Sequence, residues 1–368
     1  MLGSISVTRT RTGEHGPSSP VGSRGASGHP GVRAGDEEPR SRPSRRVLVL
    51  VGGVLLLGLA VLVGLALGSN PIPLPEVINA LAGGGDAYTR TVVESRIPRT
   101  LQGLLVGACL ALSGVIVQGI TRNPLGDPGL LGVNIGASAS VVTTTAFFGL
   151  GGIATIWAAL PGAFLAVVVV YLIGSGRGGA TPVRLVLAGA VVSAVLSAYI
   201  RAMTLSLPEV FGSYRYWVVG SLAGGDMDAL LGVLPFAAAG LVLAVLTASP
   251  LNALALGDTA AATLGANTTA IRIGGMLSAT LLCAAATASA GPIAFIGLAV
   301  PHIVRALVGS DHRWQVPLSL VLGPVLLLTA DVLGRVIARP QEIMVGVVTA
   351  FVGAPALLLA VRRMRGGT

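Results

Sequence analysis

LNALALGDTAAATLGAN, residues 251–267, is a polar double turn set in a chain that is otherwise almost continuously apolar. A segment of soluble composition between apolar runs reads as a surface offered to a partner in water. Over 368 residues the chain is 53% hydrophobic and 11% charged, too apolar for a soluble domain and within the membrane class. Charge-free runs long enough to cross a bilayer cover 47–68, 100–121, 128–176, 229–257 and 273–301. Shorter apolar runs cover 185–200, 314–330 and 343–361. The run 128–176 has room for two helices divided near 149–152, and the run from 273 divides at Gly291-Pro292. These runs predict an all-α polytopic membrane protein of about ten transmembrane helices.

All 24 basic residues are arginine. Without lysine there is no G-x-x-x-x-G-K-[ST] phosphate loop. If ATP drives the protein, ATP and Mg bind to another subunit, and no cofactor is expected in this chain. The formal charge of +9 could signal nucleic acid, but eight arginines lie in the first 46 residues and the others sit at span ends. Orientation in a membrane explains that placement, and no nucleic-acid partner is expected.

Residues 1–46, rich in Gly, Ser, Pro and Arg, cannot bury enough surface to offset chain entropy and read as a disordered cytoplasmic tail. A cleaved signal peptide competes for the run after Arg45-Arg46, but 47–68 is longer than such segments usually are, which favours an uncleaved first helix. With the tail inside, ten spans return Arg362-Arg363-Met364-Arg365 to the same face, so both termini are expected in the cytoplasm. The count places Arg122, Arg177, Arg184, Arg272, Arg305 and Arg313 inside, and Arg90, Arg96, Arg99, Arg215, Arg335 and Arg339 outside. That many outer arginines break the usual bias, and either the bias is simply weak here or some of them bind something acidic. Cys109 and Cys283 lie inside predicted spans, and His302 and His312 are the histidines outside the tail. Neither a disulfide framework nor a metal site can be assembled from them.

A faint echo links LLVGACLALSGVIVQGI, 104–120, with LLCAAATASAGPIAFIG, 281–297, two spans that run oppositely in this topology. An inverted repeat would look like this, and so would chance among small residues. Within 251–267, Asp258 is a fair N-cap, 259–264 makes a short helix and Gly265 ends it. Arg96 and Arg99 flank Pro98, read as a helix start. Asp331 sits among the later apolar spans. It is either a proton-relay group or, four residues before Arg335, half of an ion pair. Asn123, Pro124 and Gly126 interrupt a helix, as irregular backbone facing a cavity does.

Taken together, Arg96-Ile97-Pro98-Arg99, Ser113-Gly114 through Gln118, Arg122-Asn123-Pro124-Leu125-Gly126, and Leu131-Gly132 with Gly136-Ala137 resemble the first half of the iron-siderophore and vitamin B12 ABC permease family. The second half resembles it through LNALALGDTAAATLG, GPIAFIGLAVPHIVRALVGSDHR (291–313), Ala330-Asp331 with Arg335, and QEIMVGVVTAFVGAPALLL (341–359). The likeness runs in order over roughly residues 47 to 362.

The resemblance implies a type II ABC importer permease fold over 47–368, in a bacterial plasma (inner) membrane. Implied partners are a second permease subunit, two cytoplasmic ATPases and an extracytoplasmic substrate-binding protein. The implied cargo is an iron chelate, above all a ferric siderophore, with vitamin B12 or haem as alternatives. A chain with few titratable groups along its spans suits a proton-driven transporter poorly. The resemblance makes 251–267 the coupling helix seated on an ATPase, through Leu256, Gly257, Asp258, Ala261, Leu264 and Gly265. By the same resemblance Arg96, Arg99 and Arg335 dock the acidic lobes of the binding protein. A guanidinium suits that role because its fixed fork can hold a carboxylate with two hydrogen bonds. Asn123, Pro124 and Gly126 become candidates for an inner gate.

Overall fold

The computed structural model describes residues 43–365 except 69, 153, 177 and 178. The expected tail lies outside the described residues up to 42, and its last four, 43–46, already belong to the first helix. The chain runs through α1 (Pro43–Ala66), α2 (Leu74–Leu81), α3 (Ala87–Thr121), α4 (Val133–Phe148), α5 (Ala154–Gly174), α6 (Pro182–Ser206) and α7 (Pro208–Trp217). It continues through α8 (Met227–Ala255), α9 (Asp258–Thr263), α10 (Thr268–Ala290), α11 (Ile296–Val308), α12 (His312–Ile337) and α13 (Val345–Arg365). Among the described residues the exceptions to helix and loop are a 3-10 turn at Pro128–Leu131 and an antiparallel pairing of Ser175–Gly176 with Gly179–Ala180. Seven helices are long and apolar enough to cross a membrane, and Val133–Phe148, Ile296–Val308 and Val345–Pro355 are shorter apolar helices. With α2, α7 and α9 set aside as short connecting helices, these correspond one for one to the apolar runs of the sequence.

The expected divisions fall where glycine permits them. Gly149 closes α4 at φ 64°, and Gly291 ends α10 at φ 73°. One boundary differs. Pro98 was read as a helix start, yet α3 begins at Ala87, with the Asp86 carboxylate accepting the Thr89 N–H at 3.2 Å. A proline inside a helix removes one backbone donor. The helix nevertheless continues through Pro98, with α1, α2 and α12 packed against it. Arg96 and Arg99 are therefore held on a rigid helix.

α3 is the axis of the fold, with α8, α10, α11 and α12 against it. Almost every residue from Val106 to Ile120 is buried, so this helix needs no polar face. Its small residues set the spacing. A Cβ on Gly107 would come within 2.7 Å of the Pro324 backbone on α12, and one on Gly114 would overlap the Gly297 carbonyl of α11. In lipid, such backbone-to-backbone approach supplies packing that the hydrophobic effect does not.

The two helices that carry the echo pack together, although the aligned glycines differ, Gly114 lying inside α3 and Gly291 ending α10. α3 and α10 lie antiparallel, with Ser113 Oγ donating to Ala279 O at 2.8 Å and Gln102 Nε2 to Ser289 O at 2.6 Å. Each is followed by an irregular segment and then a short helix, α4 or α11. The two segments meet, since a Cβ on Gly297 would touch the Pro128 ring at 3.2 Å. Asn134 at the start of α4 accepts the Thr287 hydroxyl of α10 at 2.9 Å, so this broken backbone is covered by protein.

Candidate functional site

The side chains singled out in the sequence gather into two ionic clusters along α3, one about a third of the way in at Arg99 and one at its C-terminal end at Arg122. From Arg99 to Arg122 the helix rises about 34 Å, the depth of a bilayer core.

At the Arg99 end, Asp331 is the centre. It lies on α12 and is 2% exposed, with the Arg335 Nη2 at 2.9 Å one turn later, as the spacing predicted. Arg99 reaches it from α3, with Nε at 3.2 Å and Nη2 at 2.8 Å from its carboxylate. The remaining edge of Arg99 donates from Nη1 to Glu342 Oε2 at 2.7 Å. Arg335 also donates to the carbonyl of Gly64 at 3.0 Å. Arg96 donates to the carbonyls of Leu65 at 2.7 Å, Ala66 at 3.0 Å and Asn70 at 2.6 Å. Arginine thus donates to the last carbonyls of α1, where a helix end leaves them without intrahelical partners.

These arginines come from helices about 235 residues apart in sequence, and the fold brings all three to one cavity of about 360 Å³ that Glu342, Ser95 and Asn70 also line. Their availability differs. Arg335 is 3% exposed, and Arg96 is buried with its donors on main-chain oxygens. Neither offers the free fork expected of it, because each closes the end of α1 against the bundle. Arg99 alone of the three shares a bond with a half-exposed acid, Glu342, at 32%. Sequence reading missed Glu342. Its signal was present, as an acid opening the quoted QEIMVG stretch, but nothing in the spacing ties residue 342 to residue 99.

Asp331 was also weighed as a proton-relay group. Enclosed by two guanidiniums, it has the surroundings of a structural counter-ion.

At the other end, Gly257 is the N-cap of α9, at φ 106°. Asp258 is one position further in than expected. Its carboxylate is used across helices, pairing with Arg122 at the end of α3 and with Arg272 Nη2 of α10 at 2.8 Å. Leu256 and Leu264 stand 66% and 69% exposed on either side of α9, whereas Ala261 is fully buried. Ala261 therefore seats α9 on its own chain and has no surface left for a partner. Gly265 turns the chain away at φ 80°. Asn123 Oδ1 accepts the Leu125 N–H at 2.9 Å and its carbonyl accepts Gly126 N–H at 2.9 Å, so Asn123, Pro124 and Gly126 form a tight turn immediately after Arg122. The start of this turn and α9 are thus linked through Arg122 and the Asp258 carboxylate.

Nearby, Asn252 of α8 donates to Asp311 at 2.7 Å and accepts the His312 N–H at 2.9 Å at the start of α12. Arg313 donates to Ser249 at 2.7 Å, and Arg46 of α1 approaches Asp311 at 3.9 Å and lies 5.9 Å over the Trp314 ring. Arg46, Arg122, Arg272 and Arg313 therefore share one end and Arg96, Arg99 and Arg335 the other, the grouping expected from the span count. His302 is bonded through Nδ1 to the Leu298 carbonyl at 2.8 Å, and Arg305 to Gln118 at 3.1 Å.

Comparison with known proteins decides what these clusters belong to. The profile of the FecCD transport family matches residues 55–363. The chain belongs to the FecCD transport family. This FecCD protein is 45% identical over 327 residues to the ferric enterobactin transport system permease protein of Escherichia coli, covering 88% of this chain and 97% of that one. It is 39% identical to the iron(3+)-hydroxamate import system permease protein of Bacillus subtilis, covering 94% and 91%. It is 37% identical to the hemin transport system permease protein of Yersinia pestis, covering 84% and 96%. Among solved structures, an inward-facing metal-chelate type ABC transporter superposes with a TM-score of 0.77 at 28% identity, over 86% of this chain and 99% of that one. The FecCD protein is thus a multi-pass permease with the type II ABC importer fold.

Proposed function

We propose that this permease forms the membrane path of an ATP-driven importer for a ferric siderophore. The observation that carries the cargo is the 45% identity, over nearly the full length of both chains, with a ferric enterobactin permease. The chain has no lysine, and a Walker-type phosphate loop needs one. Two separate cytoplasmic subunits therefore bind ATP and Mg and hydrolyse the ATP, and this chain is not itself an enzyme. α9 couples to one ATPase. Leu256 and Leu264 are the contact, Gly257 and Gly265 set the turns, and Asp258 holds α9 to α3 and α10. The Arg99 end faces outward and receives an acidic surface of the binding protein, with Arg99 as the contact and Arg96 and Arg335 as supporting charge. The turn at Asn123, Pro124 and Gly126 belongs to the inner gate. A second permease subunit completes the path, in a bacterial plasma membrane with both termini in the cytoplasm.

Uptake of labelled ferric catecholate, ferric hydroxamate, haem and cobalamin in cells lacking the gene, and in the same cells complemented, tests the reading. Loss and rescue confined to a ferric siderophore is the expected result. Loss confined to haem or cobalamin would keep the machinery and replace the cargo. Unchanged uptake of all four would overturn the assignment.

A further inference from the structure

Three guanidiniums and the Glu342 carboxylate line the outer cavity with Asp331 buried behind them, leaving the group one net positive charge. Their bonds are not equally replaceable. Arg96 and Arg335 hold main-chain carbonyls of the α1 end and beyond, so releasing either unseats a helix. Asp331 is almost wholly buried and serves two arginines at once. Exchanging it would leave Arg335 as an unpaired buried charge, which is strongly unfavourable. Only the bond from Arg99 Nη1 to Glu342 joins partners that solvent reaches on both sides. The backbone around Glu342 is fixed, since Ile343 N–H bonds Gly334 O at 3.1 Å and Gly346 N–H bonds Gly220 O at 3.1 Å. Glu342 is thus placed over Arg99 by the fold.

We infer that Glu342 is a built-in competitor, occupying on Arg99 the place that a carboxylate of the docking protein takes when it arrives. This rests on the proposal that the Arg99 end receives an acidic protein surface. Docking is then an exchange of one acid for another at the same Nη1. The desolvation of Arg99 has already been met in the undocked state, and the affinity gained is the difference between two similar ion pairs. Such an exchange makes contact specific yet easily reversed, as a partner that must dissociate in each cycle requires. It also gives Glu342 a sign opposite to that of a supporting residue, because removing it strengthens docking.

The full transporter in lipid nanodiscs, titrated with the ligand-free binding protein of the same transport system, provides the test. Glu342→Gln and Glu342→Ala are measured beside Arg99→Gln and wild type, at low and high salt. The expected result is a Kd lower by about two- to fivefold for both Glu342 variants, the span that an exposed ion pair allows. The gain should shrink as salt screens the charges. Arg99→Gln should weaken binding about tenfold or more, because the docking carboxylate then meets Glu342 with no guanidinium between them. Unchanged or weaker binding by the Glu342 variants, with Arg99→Gln still impaired, would overturn the competitor and leave the docking surface standing. Unchanged binding by Arg99→Gln would overturn the docking surface, and the competitor with it.

Discussion

Replacing Asp331 by Asn separates two effects that one acid performs. The change keeps the shape and one carbonyl acceptor but removes the charge that faces Arg99 at 2.8 Å and Arg335 at 2.9 Å. Arg99 retains Glu342, whereas Arg335, 3% exposed, keeps only the Gly64 carbonyl among its described bonds. Breaking one side of a buried pair costs about 3 to 5 kcal/mol, most of it the penalty for the stranded charge. The remaining amide acceptor places Asp331→Asn toward the lower bound of that range. By contrast, Glu342→Gln removes a half-exposed bond worth about 1 kcal/mol or less. The assay is heat treatment of the detergent-solubilised permease followed by the monodisperse fraction on gel filtration. Asp331→Asn should lower the apparent melting temperature by several degrees and Glu342→Gln by hardly any. The double variant Asp331→Asn with Arg335→Met should recover part of the loss, because no unpaired charge is left buried, although the Gly64 carbonyl loses its arginine donor. If Asp331→Asn melted with wild type, or if Arg335→Met deepened its loss, the stranded-charge argument would be refuted.

Asp258→Asn should loosen α9 from α3 and α10 while leaving Leu256 and Leu264 in place. Transport per ATP hydrolysed should then fall severalfold in proteoliposomes while ATPase co-purification is kept, and unaltered coupling would remove the carboxylate from the transmission path. Leu264→Arg puts a charge on an exposed apolar contact, so the ATPase should fail to co-purify although the permease itself runs normally on gel filtration. Gly114→Val forces a branched side chain against the Gly297 carbonyl, where little can yield. It should lose most folded protein in membranes, at a cost of about 3 kcal/mol or more by overpacking, and normal folded yield would show that the close approach between α3 and α11 is not obligatory.

Span number, span order and the two glycine seams were legible because a bilayer leaves few options for an apolar run bounded by turn residues. The start of α3 was not. Residues 87–99 carry Arg90, Glu94, Arg96 and Arg99, and a hydropathy reading stops at such charges although the helix continues. Of the candidate site, the pair of Asp331 with Arg335 could be read because it lies within one helical turn. Arg99 with Asp331, and Arg122 with Asp258, could not, since partners 232 and 136 residues apart meet only through tertiary packing. The one-residue shift at Asp258 has a related cause. An acid before a short helix reads as a cap, but this one is claimed by two arginines from other helices, and the glycine takes the cap position.

The glycine contacts of α3 carry a mechanical consequence. Where main chain rests directly on main chain, as at Gly107 with Pro324 and Gly114 with Gly297, no side-chain torsion lies between the surfaces to absorb a shift. Such a joint holds or parts, and it does not slide. α3, α11 and α12 therefore travel together as a single stave, whereas only 11% of the residues in the most apolar stretch of α1 are buried, and arginine pins that helix near its two ends. The part of the molecule free to bend with the surrounding lipid is thus the rim, and any larger excursion is a tilt of the whole stiff centre.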